Sequence, residues 1–152
     1  MAKVVGVIVV LLLCLTCCSC GDPGYGYLPI GWQPSSDHTW TKQFGDFEIR
    51  TRGISGLIGD RSTDPDLRIE NNKLSISVKS AQLRTTTKSF AADIYGHDPI
   101  PPSKSGYHLP IDFKLESNRT IPEVLGPHCE LIVDLKIGEE SRQIKIEYEK
   151  KD

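Results

Sequence analysis

The chain has 152 residues, and about 130 remain if its apolar N-terminal segment is removed, which is the usual size of one domain. The formal net charge is −2 and charged residues of both signs make up 25% of the chain, so a general attraction to nucleic acid or anionic lipid is disfavoured. The sequence contains no phosphate loop, dinucleotide fingerprint or internal repeat, which excludes the common nucleotide enzymes and solenoids.

Residues 1–20 have the anatomy of an export leader. A basic start at Lys3 precedes an apolar run from Val4 to Leu15, and small or sulfur-bearing residues follow. Three fates fit this anatomy: acylation at a cysteine, ordinary cleavage near Cys20, or retention as an anchor of about the minimum length for a bilayer span. We predict a membrane-tethered protein of the cell envelope that faces away from the cytoplasm, with secretion as the alternative.

Two four-residue stretches of this leader resemble the bacterial lipobox, in which a small residue precedes a cysteine that is acylated. Ser19 before Cys20 fits that pattern, and Leu15, three residues before Cys18, fits it in the other stretch. The resemblance implies lipidation at Cys20, with Cys18 as the alternative. The membrane is then the first expected partner, reached through the N-terminal lipid or anchor.

One cysteine lies outside the leader. Cys129 is the only thiol of the mature domain if the leader is removed, so no internal disulfide is expected. It precedes the run Glu130-Leu131-Ile132-Val133, which is typical of a small buried side chain at the start of a strand. We propose no catalytic cysteine, and whether this thiol reacts is left open.

Residues 21–38 are rich in Gly and Pro and have no apolar periodicity. This composition predicts a flexible tether between the leader and a single domain over residues 39–152. The aromatic residues Tyr25, Tyr27 and Trp32 support a second interpretation, in which part of the arm packs on the domain or meets a partner.

From Thr39 onward the dominant sequence period is two, which predicts half-buried strands. Phe47, Ile49 and Thr51 alternate with charged residues in one stretch. In a second stretch, the apolar residues Leu109, Ile111, Phe113 and Leu115 alternate with Pro110 and charged residues. Pro110 has no amide hydrogen, which places the start of the second strand at a sheet edge or a bulge.

Helical patterns are scarce, and the best is Thr120 to Leu125, where the following Gly126 limits the helix to one turn. We therefore predict an all-β fold, an antiparallel β-sandwich of about seven or eight strands, with a partly open β-barrel as the alternative.

Two hairpins can be written in register. A turn at Asn71-Asn72 places Ile69 opposite Leu74 and Leu67 opposite Ile76. Both predicted pairs have their side chains on the same face of the hairpin.

The second predicted hairpin has its turn at Glu140-Ser141. Ile137 is then opposite Ile144, and Val133 is opposite Tyr148. Gly138 lies in a bulge or longer loop in the alternative register.

The sequence contains no clear motif for a metal site, a cofactor site or a catalytic nucleophile. The four histidines are dispersed without metal spacing, and Gly53-Ile54-Ser55-Gly56 has the wrong spacing for a nucleophile elbow, so we assign it to a turn or strand break. Asp60, Asp64 and Asp66 carry carboxylates that would suit calcium, but a polar turn is the favoured interpretation. No metal, cofactor or catalytic residue is assigned.

Three other segments are candidates for surface function. Arg50 and Arg52 share a strand face, and Arg61, Arg68 and Arg84 would complete an anion patch if the fold brings them together. Thr85-Thr86-Thr87 with Lys88 and Ser89 is a glycan-binding run or, preferably, an exposed edge strand. The Pro-rich stretch from Tyr95 to Gly106 predicts a loop that crosses between sheets. Asn118-Arg119-Thr120 is a glycosylation sequon in a eukaryotic secretory host.

Three functions from different classes follow. The leading one is a non-enzymatic envelope or surface protein, monomeric, which contacts a protein or glycan through loops or an exposed edge strand. The second is a secreted enzyme whose site assembles from His97, Asp98, His108 and Asp112. The third is a purely structural component marked by an apolar patch or self-association.

Overall fold

The computed structural model describes residues 25–35, 38–55, 62–95, 99–109, 111–115 and 119–151. The predicted leader with Cys18 and Cys20, Pro110 and Asn118 of the sequon lie outside these residues. Within the described ranges, no helix has the length and apolar character needed to cross a membrane.

The described residues form fourteen strand segments and one helical turn, arranged in two large antiparallel sheets and a small third one. Sheet A contains, in spatial order, β5 (Ile54–Ser55), β1 (Tyr25–Pro29), β14 (Glu140–Lys150), β13 (His128–Ile137), β8 (Ile76–Arg84) and β9 (Ser89–Ala91). Sheet B contains, in spatial order, β11 (Tyr107–His108), β7 (Arg68–Glu70), β4 (Phe47–Thr51), β3 (Trp40–Phe44) and β2 (Gln33–Pro34). Sheet C contains β10 (Asp93–Ile94), β12 (Ile111–Lys114) and β6 (Ser62–Thr63), and α1 is Ile121–Leu125.

Sheets A and B pack together and share one apolar core, so the predicted β-sandwich is confirmed. Side chains from the inner faces of both sheets are buried in this core, among them Phe47, Ile49, Ile69, Leu83, Leu131, Val133, Ile146 and Tyr148. The strand segments outnumber the predicted seven or eight because several are only two residues long.

The two predicted alternations are confirmed. Phe47, Ile49 and Thr51 are buried while Glu48 and Arg50 between them are half-buried. In the second stretch, Leu109, Ile111, Phe113 and Leu115 are all buried. Successive residues of a strand point to opposite faces, so each polar set lies on the outer side of its sheet.

The predicted hairpin at Asn71-Asn72 is wrong. β7 pairs with β4 in sheet B, whereas β8 pairs with β13 in sheet A, so the chain crosses between the sheets after Glu70. Asn72 is buried at this crossing, and its amide nitrogen donates to the carbonyl oxygens of Leu74 (3.1 Å) and Pro101 (2.9 Å). Both sheets bury their apolar faces in the same core, so the apolar pattern fits a crossing as well as a hairpin.

The second predicted hairpin exists as β13 and β14, but its register is wrong. Val133 is opposite Ile144 and not Tyr148, and the turn is formed by Gly138 and Glu139. Gly138 has φ 57°, which suits the hairpin turns that place glycine at the first central position. The difference of four residues keeps the same side chains on the buried face, because four is a multiple of the strand period.

The segment from Tyr25 to Ser35, part of the predicted tether, belongs to the sandwich. β1 lies between β5 and β14 in sheet A, Tyr27 is fully buried and Trp32 is 7% exposed. The Tyr27 hydroxyl donates to the Gly126 carbonyl oxygen at 2.7 Å. Of the two interpretations of this arm, the structure supports the one in which it packs on the domain.

The turn or strand break predicted for Gly53-Ile54-Ser55-Gly56 is confirmed at Gly53, where the chain leaves sheet B for sheet A. Ile54–Ser55 instead forms β5, and Gly56 lies outside the described residues. Gly53 has φ 107°, and a Cβ atom there would lie 2.2 Å from the carbonyl oxygen of Tyr27. Only glycine fits this close approach. It lets β4 end at Thr51 while Ile54 pairs with β1.

The predicted helical turn is confirmed as α1. The backbone N–H of Thr120 donates to the Glu123 carboxylate at 2.7 Å, and the Thr120 hydroxyl donates to it at 3.0 Å. These bonds lower the pKa of Glu123 because they stabilise its charged form. Gly126, with φ 71°, follows the helix and ends it.

Candidate functional site

The outer face of sheet B carries a row of basic side chains. Arg50 on β4 is directly opposite Arg68 on β7, and Arg68 is directly opposite His108 on β11. Residues directly opposite each other in antiparallel strands place their side chains on the same face. The pairing of three strands that are distant in sequence therefore assembles this basic row.

Two carboxylates pair with the arginines of this face. A terminal guanidinium nitrogen of Arg50 lies 3.1 Å from Glu70 Oε2, and Arg52 Nε donates to Asp66 Oδ2 at 2.7 Å. The Asp66 side chain is only 12% exposed, so removing Arg52 would leave a mostly buried carboxylate without its arginine partner. Arg68 is exposed and, within the described ranges, forms no ion pair with a carboxylate.

A tight loop before β7 places two carboxylates beside His108. The backbone N–H of Asp66 donates to Asp64 Oδ1 at 2.7 Å, and Asp66 has φ 44°. His108 Nε2 then lies 3.2 Å from Asp64 Oδ2 and 3.6 Å from Asp66 Oδ1. The hydrogen bond with Asp64 is the main cause that raises the pKa of His108, and it outweighs the opposing effects of burial and of Arg68.

The same loop is tied to the end of β4 by one buried hydroxyl. Thr51 Oγ1 donates to the Pro65 carbonyl oxygen at 2.7 Å and accepts from the Gly53 N–H at 2.9 Å. Thr51 is 1% exposed, so these bonds are shielded from water. They fix the position of Asp64 and Asp66 relative to the arginines of β4.

These residues surround an open cleft of about 280 Å³ on the outer face of sheet B, which we call the arginine cleft. Its lining consists of Thr39, Arg50, Thr51, Arg52, Asp66, Arg68 and Glu70. Two polar atoms of the lining residues, Thr39 Oγ1 and Arg50 Nε, are shielded from solvent and have no hydrogen-bond partner among the described residues. They lie behind the accessible surface of the cleft, so its accessible charge comes from the outer atoms of the arginines and carboxylates.

The predicted anion patch is assembled for three of its five arginines. Arg50, Arg52 and Arg68 all line the arginine cleft. Arg84 instead lies on β8 of sheet A, opposite Glu130 of β13, and Arg61 is outside the described residues.

The sequence analysis named Asp64 and Asp66 only as candidate calcium ligands, and it missed both Glu70 and the pairing of these carboxylates with Arg50, Arg52 and His108. Their signal was present, since residues 64, 66, 68 and 70 are charged and spaced by two, as on one strand face.

The residues predicted for a dispersed enzyme site do not come together in the described part of the chain. His108 has Asp64 and Asp66 as its acidic partners, not Asp112. Asp112 lies on β12 opposite Asp93, whose carboxylate pairs with Lys114 at 2.6 Å. His97 and Asp98 lie outside the described residues.

Two of the three aspartates of the acidic segment are described, and both have partners in the fold. Asp64 pairs with His108, and Asp66 pairs with Arg52, which fits the predicted polar turn. Asp60 lies outside the described residues. No group of three or more His, Cys, Asp or Glu side chains within the described ranges is arranged to hold a metal ion.

Cys129 is a buried thiol at the start of β13, as expected. It is 5% exposed, and burial raises its pKa to about 12. A thiol with this pKa carries very little thiolate near neutral pH, and thiolate is the reactive form.

A second pocket, of about 370 Å³, is lined by residues that include Cys129, Ile30, Arg84 and Tyr148.

The threonine run and the Pro-rich loop are both connections. Thr85 to Lys88 forms the turn between β8 and β9, closed by the Thr85 N–H donating to the Lys88 carbonyl oxygen at 2.8 Å. The predicted edge strand is therefore wrong for Thr85 to Lys88, because these residues turn the chain back from β8. The edge strand β9 begins only at Ser89 and is the last strand of sheet A.

The loop after Tyr95 leads from sheet C to sheet B, so the predicted crossing is confirmed. Ile100 in this loop exchanges backbone hydrogen bonds of 2.7 and 3.0 Å with Ile76 of sheet A.

Comparison of the chain with models of protein families, with curated proteins and with solved structures finds no match.

Proposed function

We propose that this chain is an exported, non-enzymatic binding domain that recognises a protein or glycan partner with the outer face of sheet B. The leader anatomy of residues 1–20 supports export, and the lipobox resemblance at Cys20, or alternatively Cys18, supports a membrane tether in the cell envelope. The domain acts as a monomer, and its role requires no cofactor.

One observation carries the binding proposal: the arginine cleft holds more basic than acidic charge on an open sheet face. Three arginines and two carboxylates line it, a difference of one positive charge, although the chain as a whole has a net charge of −2. An accessible charged group that lacks a partner inside its own protein is well placed to pair with a partner molecule.

The sheet face also suits recognition better than the strand edges that the sequence suggested. β9 and β2, at edges of the two large sheets, have only three and two residues. A short edge offers few free backbone hydrogen bonds to an added strand. The outer face of sheet B presents side chains from adjacent strands, among them Arg50 on β4, Arg68 on β7 and His108 on β11.

An enzyme that uses the His108–Asp64 pair is the second candidate. A general base needs a nucleophile or a water within hydrogen-bond reach. The hydroxyl of Thr51, in the lining of the cleft, is already committed to Pro65 and Gly53. This geometry favours binding over catalysis.

Site-specific photo-crosslinking in the native host tests the proposal. A photoreactive residue is placed at Thr41, directly opposite Arg50 on the outer face of sheet B, and in a matched variant at Lys145, exposed on β14 of sheet A. We expect the Thr41 variant to capture one defined protein or glycan adduct that the Lys145 variant does not. Equal capture at both positions, or none at Thr41, would contradict the proposal.

A further inference from the structure

We propose that the arginine cleft binds an acidic sugar, whose sulfate or carboxylate group lies between Arg50 and Arg68. This inference rests on the proposed function and deepens it by naming the chemistry of the ligand.

The basic row across β4, β7 and β11 places like charges directly opposite each other. Like charges directly opposite each other on a sheet destabilise the pair. Glu70 offsets this repulsion for Arg50, but Arg68 lies between Arg50 and His108 with no carboxylate partner of its own in the described ranges. An oxyanion between Arg50 and Arg68 would supply the missing negative charge, and guanidinium groups bind such oxygens with two parallel hydrogen bonds.

The acidic side chains of the cleft favour a sugar over a bare anion. Asp66 and Glu70 line the same cleft and repel a free anion of high charge density. The same carboxylates accept hydrogen bonds from hydroxyl groups, which a sugar ring carries on several sides.

The cleft is small and open to solvent. Its volume of about 280 Å³ is close to the lower end of the range for small-molecule pockets, which begins at about 300 Å³. One substituted sugar ring is of this size. An acidic peptide is the alternative occupant, and it is one of the probes of the test.

Solution NMR of the arginine side chains tests this inference in the purified protein, processed as its host leaves it. The probes are a sulfated disaccharide, its unsulfated counterpart, inorganic sulfate and a glutamate-rich peptide, at low salt where charge interactions are least screened. We expect saturable shifts of the Nε–H signals of Arg50 and Arg68 with the sulfated disaccharide, and weaker binding of the other three probes.

Three variants show whether the shifts of the Nε–H signals come from a ligand bound in the arginine cleft. Arg68→Ser removes a side chain with no carboxylate partner in the described ranges, so the fold should survive, and circular dichroism checks this. We expect Arg68→Ser to weaken disaccharide binding by about 10-fold or more, the usual effect of losing charge-assisted hydrogen bonds. Arg68→Lys should fall between Arg68→Ser and the unmodified protein. Arg84→Ser, on sheet A, should bind as the unmodified protein does.

Three results would overturn the inference: no shift at Arg50 and Arg68, equal weakening by Arg84→Ser, or tighter binding of inorganic sulfate or of the peptide than of the disaccharide. If the sugar fails to bind while crosslinking from Thr41 still captures a defined partner, this inference fails alone. If both experiments fail, the proposed function fails with it.

Discussion

Two neighbouring carboxylates, Asp64 and Asp66, raise the pKa of His108. The hydrogen bond with Asp64 at 3.2 Å is the largest cause of its raised pKa, and Asp66 at 3.6 Å adds to it. A histidine whose pKa is higher in the folded state than in the unfolded state stabilises the fold below the unfolded pKa, which is about 6.5. That contribution is lost as the pH rises through the raised folded pKa.

Asp64→Asn tests this account of His108. The substitution keeps an oxygen that accepts the Asp66 N–H but removes the negative charge, so we expect the pKa of His108 to fall toward 6.5. The unfolding free energy of the variant should lie below that of the unmodified protein at acidic pH, and the two should converge above the folded pKa. NMR titration of the His108 ring and denaturant unfolding at several pH values measure both effects.

Glu139→Gln is the matched control for this titration, since Glu139 is 96% exposed and lies at the β13–β14 turn. It should leave the His108 titration unchanged. A His108 pKa that is the same in the Asp64→Asn variant and the unmodified protein would contradict the assigned cause.

At the scale of elements, β1 is the strand that the Gly- and Pro-rich composition of its segment did not predict. Gly and Pro in residues 21–38 indicated a tether, yet Tyr27 and Trp32 bury aromatic rings in the shared core. Local composition reports the preference of the isolated chain, whereas burial of two large aromatic side chains outweighs that preference in the fold.

Hydrogen exchange distinguishes a strand from a tether in this segment. The Ile30 N–H donates to the Glu147 carbonyl oxygen at 2.8 Å, next to the β1–β14 pairing. We expect this amide to exchange far more slowly than that of Asp46, which lies in the exposed turn between β3 and β4. Equal exchange rates at Ile30 and Asp46 would show that the arm is not docked.

The β13–β14 turn offers a test of register at one glycine. Gly138→Ala places a Cβ atom on a residue with φ 57°, so we expect the free energy of unfolding to fall by about 1 kcal/mol. Gly138→Asn should cost less, because asparagine tolerates positive φ better than alanine does. Denaturant unfolding measures both variants.

Glu139→Ala, at the other central position of the turn, is the control and should change stability by less than about 0.5 kcal/mol. In the register predicted from sequence, with the turn at Glu140-Ser141, Gly138 would have no special role. An alanine variant as stable as the unmodified protein would support that register instead.

At the scale of the whole molecule, the sequence predicted the class of fold and the faces of its strands, but not which strands are neighbours. The alternations at Phe47–Thr51 and Leu109–Leu115 identified buried and outer faces, because side-chain direction is a local property. Strand pairing is not local: Ile69 and Ile76 are both buried in one core while belonging to different sheets.

The arginine cleft depends on that strand pairing. The sequence therefore identified the arginines of the cleft but not their arrangement in space. Arg50, Arg52 and Arg68 were all identified as members of one anion patch, but only the β4–β7–β11 order brings Arg68 between Arg50 and His108. If β7 instead folded back on β8 through a turn at Asn71-Asn72, this basic row would not form.

Inter-strand nuclear Overhauser effects between backbone protons measure this pairing most directly. We expect contacts between Arg50 and Arg68 and between Arg68 and His108, as the order of sheet B requires. Contacts between Ile69 and Leu74 in place of these would establish the local hairpin and would contradict both the fold and the arginine cleft.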